Sequence, residues 1–283
     1  MKRRAGLFSL FFFAIIAFGA CQKENDWQSE YQPKFVVEGG IESGDYPYVI
    51  LTRNSPFFVS LDSSQLADIV IRWAKVTVSD GVNTEILTSK KDTSFFPSYI
   101  YRGSEIKGQP GKTYTLTIEY NGFTIKSSTT IPKPVALDSI WFVKKNDSLA
   151  QLSVQFSDPP EKNYYKIFTK TSANRRFVPT LISNHDDKNF NGKIYSIQVN
   201  QGVENNLSID REPYFKIGEE VFFKLSTIPK EGFDFWASFQ DEILNSSNPL
   251  IGSTAALKSN IEGLATGIWC GYGSLAYRAR ANP

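Results

Sequence analysis

Histidine and cysteine are nearly absent from this chain of 283 residues, which has one of the first and two of the second. A lone histidine, His185, excludes a multi-histidine zinc site and leaves one place for any Ser-His-Asp or Cys-His arrangement. It sits in Asn184-His185-Asp186-Asp187, a hydrophilic stretch that reads as a solvated loop. With Cys21 assigned to an N-terminal signal (below), Cys270 has no partner, so no disulfide framework holds the fold and its hydrophobic cores must. Within Gly267-Ile268-Trp269-Cys270-Gly271-Tyr272, Cys270 reads as a buried, inert thiol. The chain also lacks a Gly-x-Ser-x-Gly elbow, a Walker loop and a dinucleotide fingerprint, the usual marks of acyl and phosphate chemistry. Paired carboxylates need only meet in space, and 29 acidic residues leave glycoside hydrolysis open.

Long apolar runs are missing apart from Leu7 to Phe18, which follows the basic Lys2, Arg3 and Arg4 and precedes Phe18-Gly19-Ala20-Cys21. This is the layout of an export signal, residues 1–20, with a small-residue cleavage site ending in cysteine. Cleavage before Cys21 makes it the lipidated N-terminus of a protein folded outside the cytoplasm. Two rivals are an ordinary secretory signal, with Cys21 incidental, and a membrane-spanning anchor. The anchor is disfavoured because about 12 apolar residues fall short of the roughly 20 that span a bilayer. Loss of the three signal cations takes the net charge from +2 to −1. No basic stripe is left to neutralise phosphates, so nucleic acid is not an expected partner.

The remaining residues, about 260, suffice for two ordinary domains. Residues 21–33, including Gln22-Lys23-Glu24-Asn25-Asp26, have little to bury and read as a flexible tether. Residues 34–132 read as an N-terminal β-sandwich. Its clearest piece is Thr113 to Thr130, where Tyr114, Leu116, Ile118 and Tyr120 alternate with polar residues, Asn121-Gly122 follows, and Phe123 and Ile125 resume the alternation. A two-residue Asn-Gly loop fixes a hairpin register that pairs Tyr120 with Phe123 and Ile118 with Ile125. Strands are also expected at 35–41, 48–53 and 75–79, the last entering an Asp80-Gly81 turn. Ile131-Pro132-Lys133-Pro134 breaks the pattern, which places a domain boundary there.

Residues 135–283 restart as a second β-sandwich, with strands around 140–142, 152–156, 164–169 and 221–225. Together these give an all-β fold of two tandem immunoglobulin- or fibronectin-like sandwiches. A polar excursion over 171–215, with its own strand at 194–199, interrupts the second. Near 233–245, Phe233, Trp236, Phe239 or Gln240, Ile243 and Leu244 recur at helical spacing. Asp234, Ser238, Asp241 and Glu242 lie opposite, predicting one amphipathic helix on the second sheet. Gly263, Gly267, Gly271 and Gly273 near the end suggest close backbone approach or bulges.

One metal candidate exists. Asp187, Asn189 and Asn191, followed by Gly192, copy the first half of a calcium loop, but Gln198 stands where a bidentate glutamate belongs. The alternative is a polar turn feeding the strand at 194–199. Aromatic residues make up 14% of the chain, and most are expected in the cores. Phe57 and Phe58, beside Ser55-Pro56, are the exception and read as an exposed contact for a ligand or partner.

Several segments together carry a resemblance. They are Cys21 with its charged tether, Phe35-Val36-Val37-Glu38-Gly39-Gly40-Ile41, Leu51-Thr52-Arg53, Val76-Thr77-Val78-Ser79-Asp80-Gly81, Gly111-Lys112-Thr113-Tyr114-Thr115-Leu116, Thr129-Thr130-Ile131-Pro132, Asp138-Ser139-Ile140, Asn163-Tyr164-Tyr165 and Asn260-Ile261-Glu262-Gly263. In order and spacing they resemble the Bacteroidota lipoproteins grouped as domain of unknown function 4249 (DUF4249). The resemblance implies an outer-membrane lipoprotein, often encoded near TonB-dependent transporters, with no established activity. Lys23-Glu24-Asn25-Asp26 is similar to the charged surface-export signal of that lineage.

The expectation is therefore a non-enzymatic, surface-exposed protein of the outer membrane. It is held by palmitate-type acylation at Cys21, needs no cofactor, and acts as accessory or ligand-capturing partner of a TonB-dependent transporter. A carboxylate-based surface hydrolase and a structural or adhesive protein are the alternatives.

Overall fold

The computed structural model describes residues 34–54, 69–202, 212–246 and 257–283, with side chains up to Glu242 in the segment ending at 246. The export signal 1–20, Cys21, the tether 21–33 and the pair Phe57 and Phe58 lie outside the described residues.

The Asn-Gly hairpin forms in the register its loop length requires. Strands β7 (Thr113–Tyr120) and β8 (Phe123–Thr130) pair Tyr120 with Phe123 and Ile118 with Ile125. Asn121 and Gly122 take φ of 48° and 81°, the left-handed values of a type I′ turn. Strand β7 buries every second residue, Tyr114, Leu116 and Ile118, each burial contributing about 1.5–3 kcal/mol. With β3 (Lys75–Ser79) and β4 (Thr84–Ile86), the hairpin makes a four-stranded sheet in the order β4-β3-β7-β8. At the Asp80-Gly81 turn the Asp80 carboxylate accepts the backbone N–H groups of Val82 and Asn83.

A second four-stranded sheet is built around β10 (Leu149–Ser157), which pairs with β9 (Leu137–Lys144), β13 (Ile194–Val199) and β14 (Phe215–Lys216). Both small sheets pack on one eight-stranded sheet. Its order is β12 (Val178–Asp186), β11 (Tyr164–Lys170), β15 (Glu220–Ile228), β16 (Ala265–Arg280), β1 (Phe35–Glu42), β2 (Tyr48–Arg53), β6 (Tyr99–Arg102) and β5 (Thr88–Lys91). The fold is thus all-β, two sandwiches sharing a sheet.

Strand β16 joins them. Its first half pairs in parallel with β1 and its second half antiparallel with β15. Sixteen residues of strand span roughly 50 Å, enough to run through both sandwiches. Gly267 makes the parallel pairing possible: its φ is 130° and a Cβ there would lie 1.9 Å from the Val37 carbonyl oxygen. The first core, with Val37, Leu51, Val78, Leu116 and Ile125, also holds Ile261 and Trp269 from the far end of the chain. The second gathers Leu152, Phe156, Tyr165, Phe223 and Leu225. Ile131 belongs to the first core and Val135 to the second, so the chain crosses between them through its proline-rich segment. Because β16 serves both cores, Lys34–Pro283 form one compact unit rather than two independent ones.

The helix α1 (Lys230–Ser246) lies on the other face of the large sheet, against β16, β12 and β11. Its buried side differs from the expected stripe by part of a turn. Phe235 and Ser238 are buried, while Phe239 is 38% exposed. Ser238 is satisfied there, donating to the Phe235 carbonyl and accepting the Lys258 N–H, which is why a polar residue can sit on the packed side.

Candidate functional site

Along a strand, side chains alternate between faces, so a sheet whose one face fills two cores must present another set outward. On the large sheet that second set is Glu38 and Glu42 from β1, Tyr48 from β2, Lys166 and Phe168 from β11, Lys224 and Ser226 from β15, and Cys270, Tyr272 and Ser274 from β16. Helix α1 covers part of this face, adding Trp236. The loop before β12 brings Arg176 and Phe177, and the loop before β6 brings Phe95.

These groups interlock. The Lys166 ammonium stands 4.1 Å from the Trp236 ring centroid and hydrogen-bonds Ser183 (3.2 Å) and Asn184 (3.1 Å), both neutral acceptors. The Trp236 indole N–H donates to the Tyr272 hydroxyl at 3.1 Å. Lys224 pairs with Glu42 at 2.7 Å and lies over the rings of Phe168 (4.7 Å) and Phe177 (4.8 Å). Tyr48 packs against Phe95, whose ring carries the Arg176 guanidinium at 4.7 Å. Arg175 fixes the same loop by a hydrogen bond to Thr93 at 2.7 Å.

The electrostatics single out three residues. Burial lowers the Lys166 pKa to about 7, against the opposing fields of Cys270 and Glu38. Burial raises the Glu38 pKa, opposed by Arg176 and Lys166. Arg176 has a buried Nε with no hydrogen-bond partner. Glu38 and Tyr48 keep partial solvent exposure, yet desolvation raises both their pKa values. The face is a crevice in this sense alone, that the helix and loops beside it crowd groups that water still reaches. Two cations and a carboxylate without direct ion pairs, walled by Tyr48, Phe95, Phe168, Trp236 and Tyr272, form a site suited to a ligand with an apolar body and charged ends.

Of the residues singled out in the sequence, Asp187, Asn189, Asn191 and His185 fall elsewhere, Cys270 lies on this face beneath α1, and Cys21, Phe57 and Phe58 are outside the described residues. Asp187 opens a short 3-10 turn, and its buried carboxylate is occupied by the Lys162 ammonium and the Asn163 backbone N–H. Phe190, between Asn189 and Asn191, stacks on Tyr195 at 3.7 Å and belongs to the second core. Among the described residues, no three His, Cys, Asp or Glu side chains gather as a metal site. His185 is not on a solvated loop: it lies on β12 and pairs with Tyr165, because its polar run is the end of an edge strand. It borders a pocket of about 200 Å³ with Ile167, Ile182, Ile197 and Val199, and its Nε2 has no partner. Burial lowers its pKa, leaving the ring neutral at pH 7. Cys270 is buried against α1, its thiol pushed up to about 12 by desolvation.

Glu38, Lys166, Arg176 and Trp236 were not legible as a site. A lysine or glutamate on one side of an apolar strand ordinarily faces water, and only α1 and the loops convert this face into a crevice. The one sequence signal was the excursion 171–215, which supplies Arg176, Phe177, Ser183 and Asn184.

Fold and crevice together define a class: an all-β double sandwich with a mixed-charge, aromatic-walled face. The family model described as domain of unknown function (DUF4249) matches residues 24–277, and the chain belongs to that family. No curated protein matches it. Among the described residues no helix is long and apolar enough to cross a membrane.

Proposed function

We propose that this chain is a lipid-anchored protein of the outer membrane, exposed at the cell surface, that captures a ligand without transforming it and serves a TonB-dependent transporter. The observation that carries the capture role is the Glu38, Lys166 and Arg176 group, three charge-bearing side chains in an aromatic crevice with no ion pair among them. Arg176 receives an anionic group of the ligand, with the buried Lys166 adding its charge from beneath Trp236, Glu38 receives a cationic or hydrogen-bond-donating one, and the rings hold its apolar body. The export signal ending in Cys21 supports the anchor. A lipid confines the protein to the membrane plane, where even weak contact with a transporter is raised by effective concentration.

The test is affinity purification from detergent-solubilised outer membranes, with mass spectrometry of co-eluting proteins and retained small molecules. A transporter should accompany the native chain, and an Arg176→Ala, Glu38→Gln variant should keep the transporter and lose the small molecule. Recovery of the chain alone at native expression overturns the accessory role. Equal retention of small molecules by the variant overturns the crevice.

A further inference from the structure

The chain enters the described unit at Lys34, and the end of the first sandwich where it enters has an unusual surface. Phe35 opens β1, pairing with Arg53 at the close of β2 and with Ala265 at the start of β16. Its ring meets Tyr120 and Phe123, which flank the hairpin turn, at 6.0 and 5.6 Å. Lys75, the first residue of β3, pairs with Glu119, so Trp73 just ahead of it belongs to the same end. Three large apolar side chains face water there: Trp73 is 89% exposed, Phe123 46% and Leu264 37%. Lys34 and Arg53 are exposed beside them.

A nearly bare indole in water forgoes the stabilisation its burial would give, and tryptophan with flanking cations is the composition favoured at a bilayer's headgroup level. The covalent connection says what can cover this end. Thirteen residues, 21–33, separate the proposed lipid from Lys34 and span at most about 45 Å when fully extended. The point of attachment is the apolar end itself.

We infer that this end is a membrane-contacting surface, with Trp73, Phe123 and Leu264 seated at headgroup level and Lys34 and Arg53 over anionic headgroups. The inference rests on the lipid-anchored reading for its orientation. Strand β1 then rises from the bilayer and carries Glu38 roughly 10 Å along its length, so the crevice opens near the membrane, where an embedded transporter has its mouth.

The experiment uses the mature chain with Cys21→Ser, so that partitioning reports the protein surface alone. Vesicles of phosphatidylethanolamine and phosphatidylglycerol, with and without brominated acyl chains, are mixed with the protein, and co-sedimentation and tryptophan quenching are read. The chain should sediment with vesicles and be quenched. Trp73→Phe should still bind while losing most of the quenching, and Trp73→Ser with Phe123→Ser should partition about tenfold less with an unchanged melting temperature. Should the double variant melt early, Trp73→Ser alone decides, since that side chain touches little. No partitioning by the parent chain, or equal partitioning by the serine variant, overturns the inference. So does a serine variant that binds vesicles normally but no longer co-purifies with a transporter, which would make a protein the occupant. Acylation of Cys21 is read separately, by metabolic labelling with a palmitate analogue, so failure of the anchor and failure of this surface are distinguishable.

Discussion

The indole N–H of Trp269 donates to the backbone carbonyl of Tyr114 at 3.0 Å, joining the last strand of the chain to the Asn-Gly hairpin across 155 positions of sequence. Both side chains are fully buried in the first core. The C-terminal strand therefore completes the N-terminal sandwich. Trp269→Phe removes the donor and leaves a cavity, and should lower unfolding stability by about 2 kcal/mol in a urea titration. An unchanged midpoint would mean that the hairpin and β16 are not energetically coupled.

Gly267→Ala should cost more. A Cβ 1.9 Å from the Val37 carbonyl must push β16 off β1, and the φ of 130° is strained for any L-residue. A loss of roughly 3 kcal/mol or more is expected, with hydrogen exchange accelerated first at Val36 to Gly40.

The Glu85 carboxylate accepts the backbone N–H groups of Ser104, Glu105 and Ile106. Burial alone would raise its pKa, but these donors outweigh it and hold the group below 4.5. A carboxylate depressed in the folded state stabilises above its unfolded pKa, and that stabilisation is lost as pH falls through the folded value. Glu85→Gln should therefore destabilise by about 1–2 kcal/mol at neutral pH, and the gap to the native chain should close below pH 4.5. A gap independent of pH would assign the loss to packing.

Lys166 costs the fold stability where Glu85 adds to it, although a lowered pKa makes stability rise with pH in both cases. With its pKa lowered from 10.5 to about 7, it binds fewer protons folded than unfolded between those values, so stability rises with pH across that window. Lys166→Met should stabilise the fold by roughly 1–3 kcal/mol at neutral pH, with the gain fading as pH approaches 10.5. The same variant should lose ligand. A more stable protein that binds less well would identify this lysine as kept for recognition, whereas destabilisation would make its Trp236 and Asn184 contacts structural.

Cys270 should resist alkylation in the folded chain, since its thiol is buried and pushed up to about 12. In the Cys21→Ser chain, iodoacetamide at pH 8 should label no site natively and one after denaturation. Native labelling would show that α1 opens readily from the sheet.

What could be read locally was read correctly. The hairpin register, the strands opening at Phe35, Tyr48 and Lys75, and the existence of α1 follow from alternation, from Asn121-Gly122 and from the 3.6-residue period, all short-range properties. Strand β12 was missed because Val178-Pro179 and Asn184-His185-Asp186 look like loop, and an edge strand tolerates both proline and polar residues. The order of strands in the large sheet, the double service of β16 and the crevice were decided only by tertiary structure. Glu38, Lys166 and Arg176 come from distant parts of the chain. Nothing in their neighbours distinguishes a strand face open to water from one that a helix and two loops have closed, because desolvation is a property of what packs on a residue rather than of what precedes it.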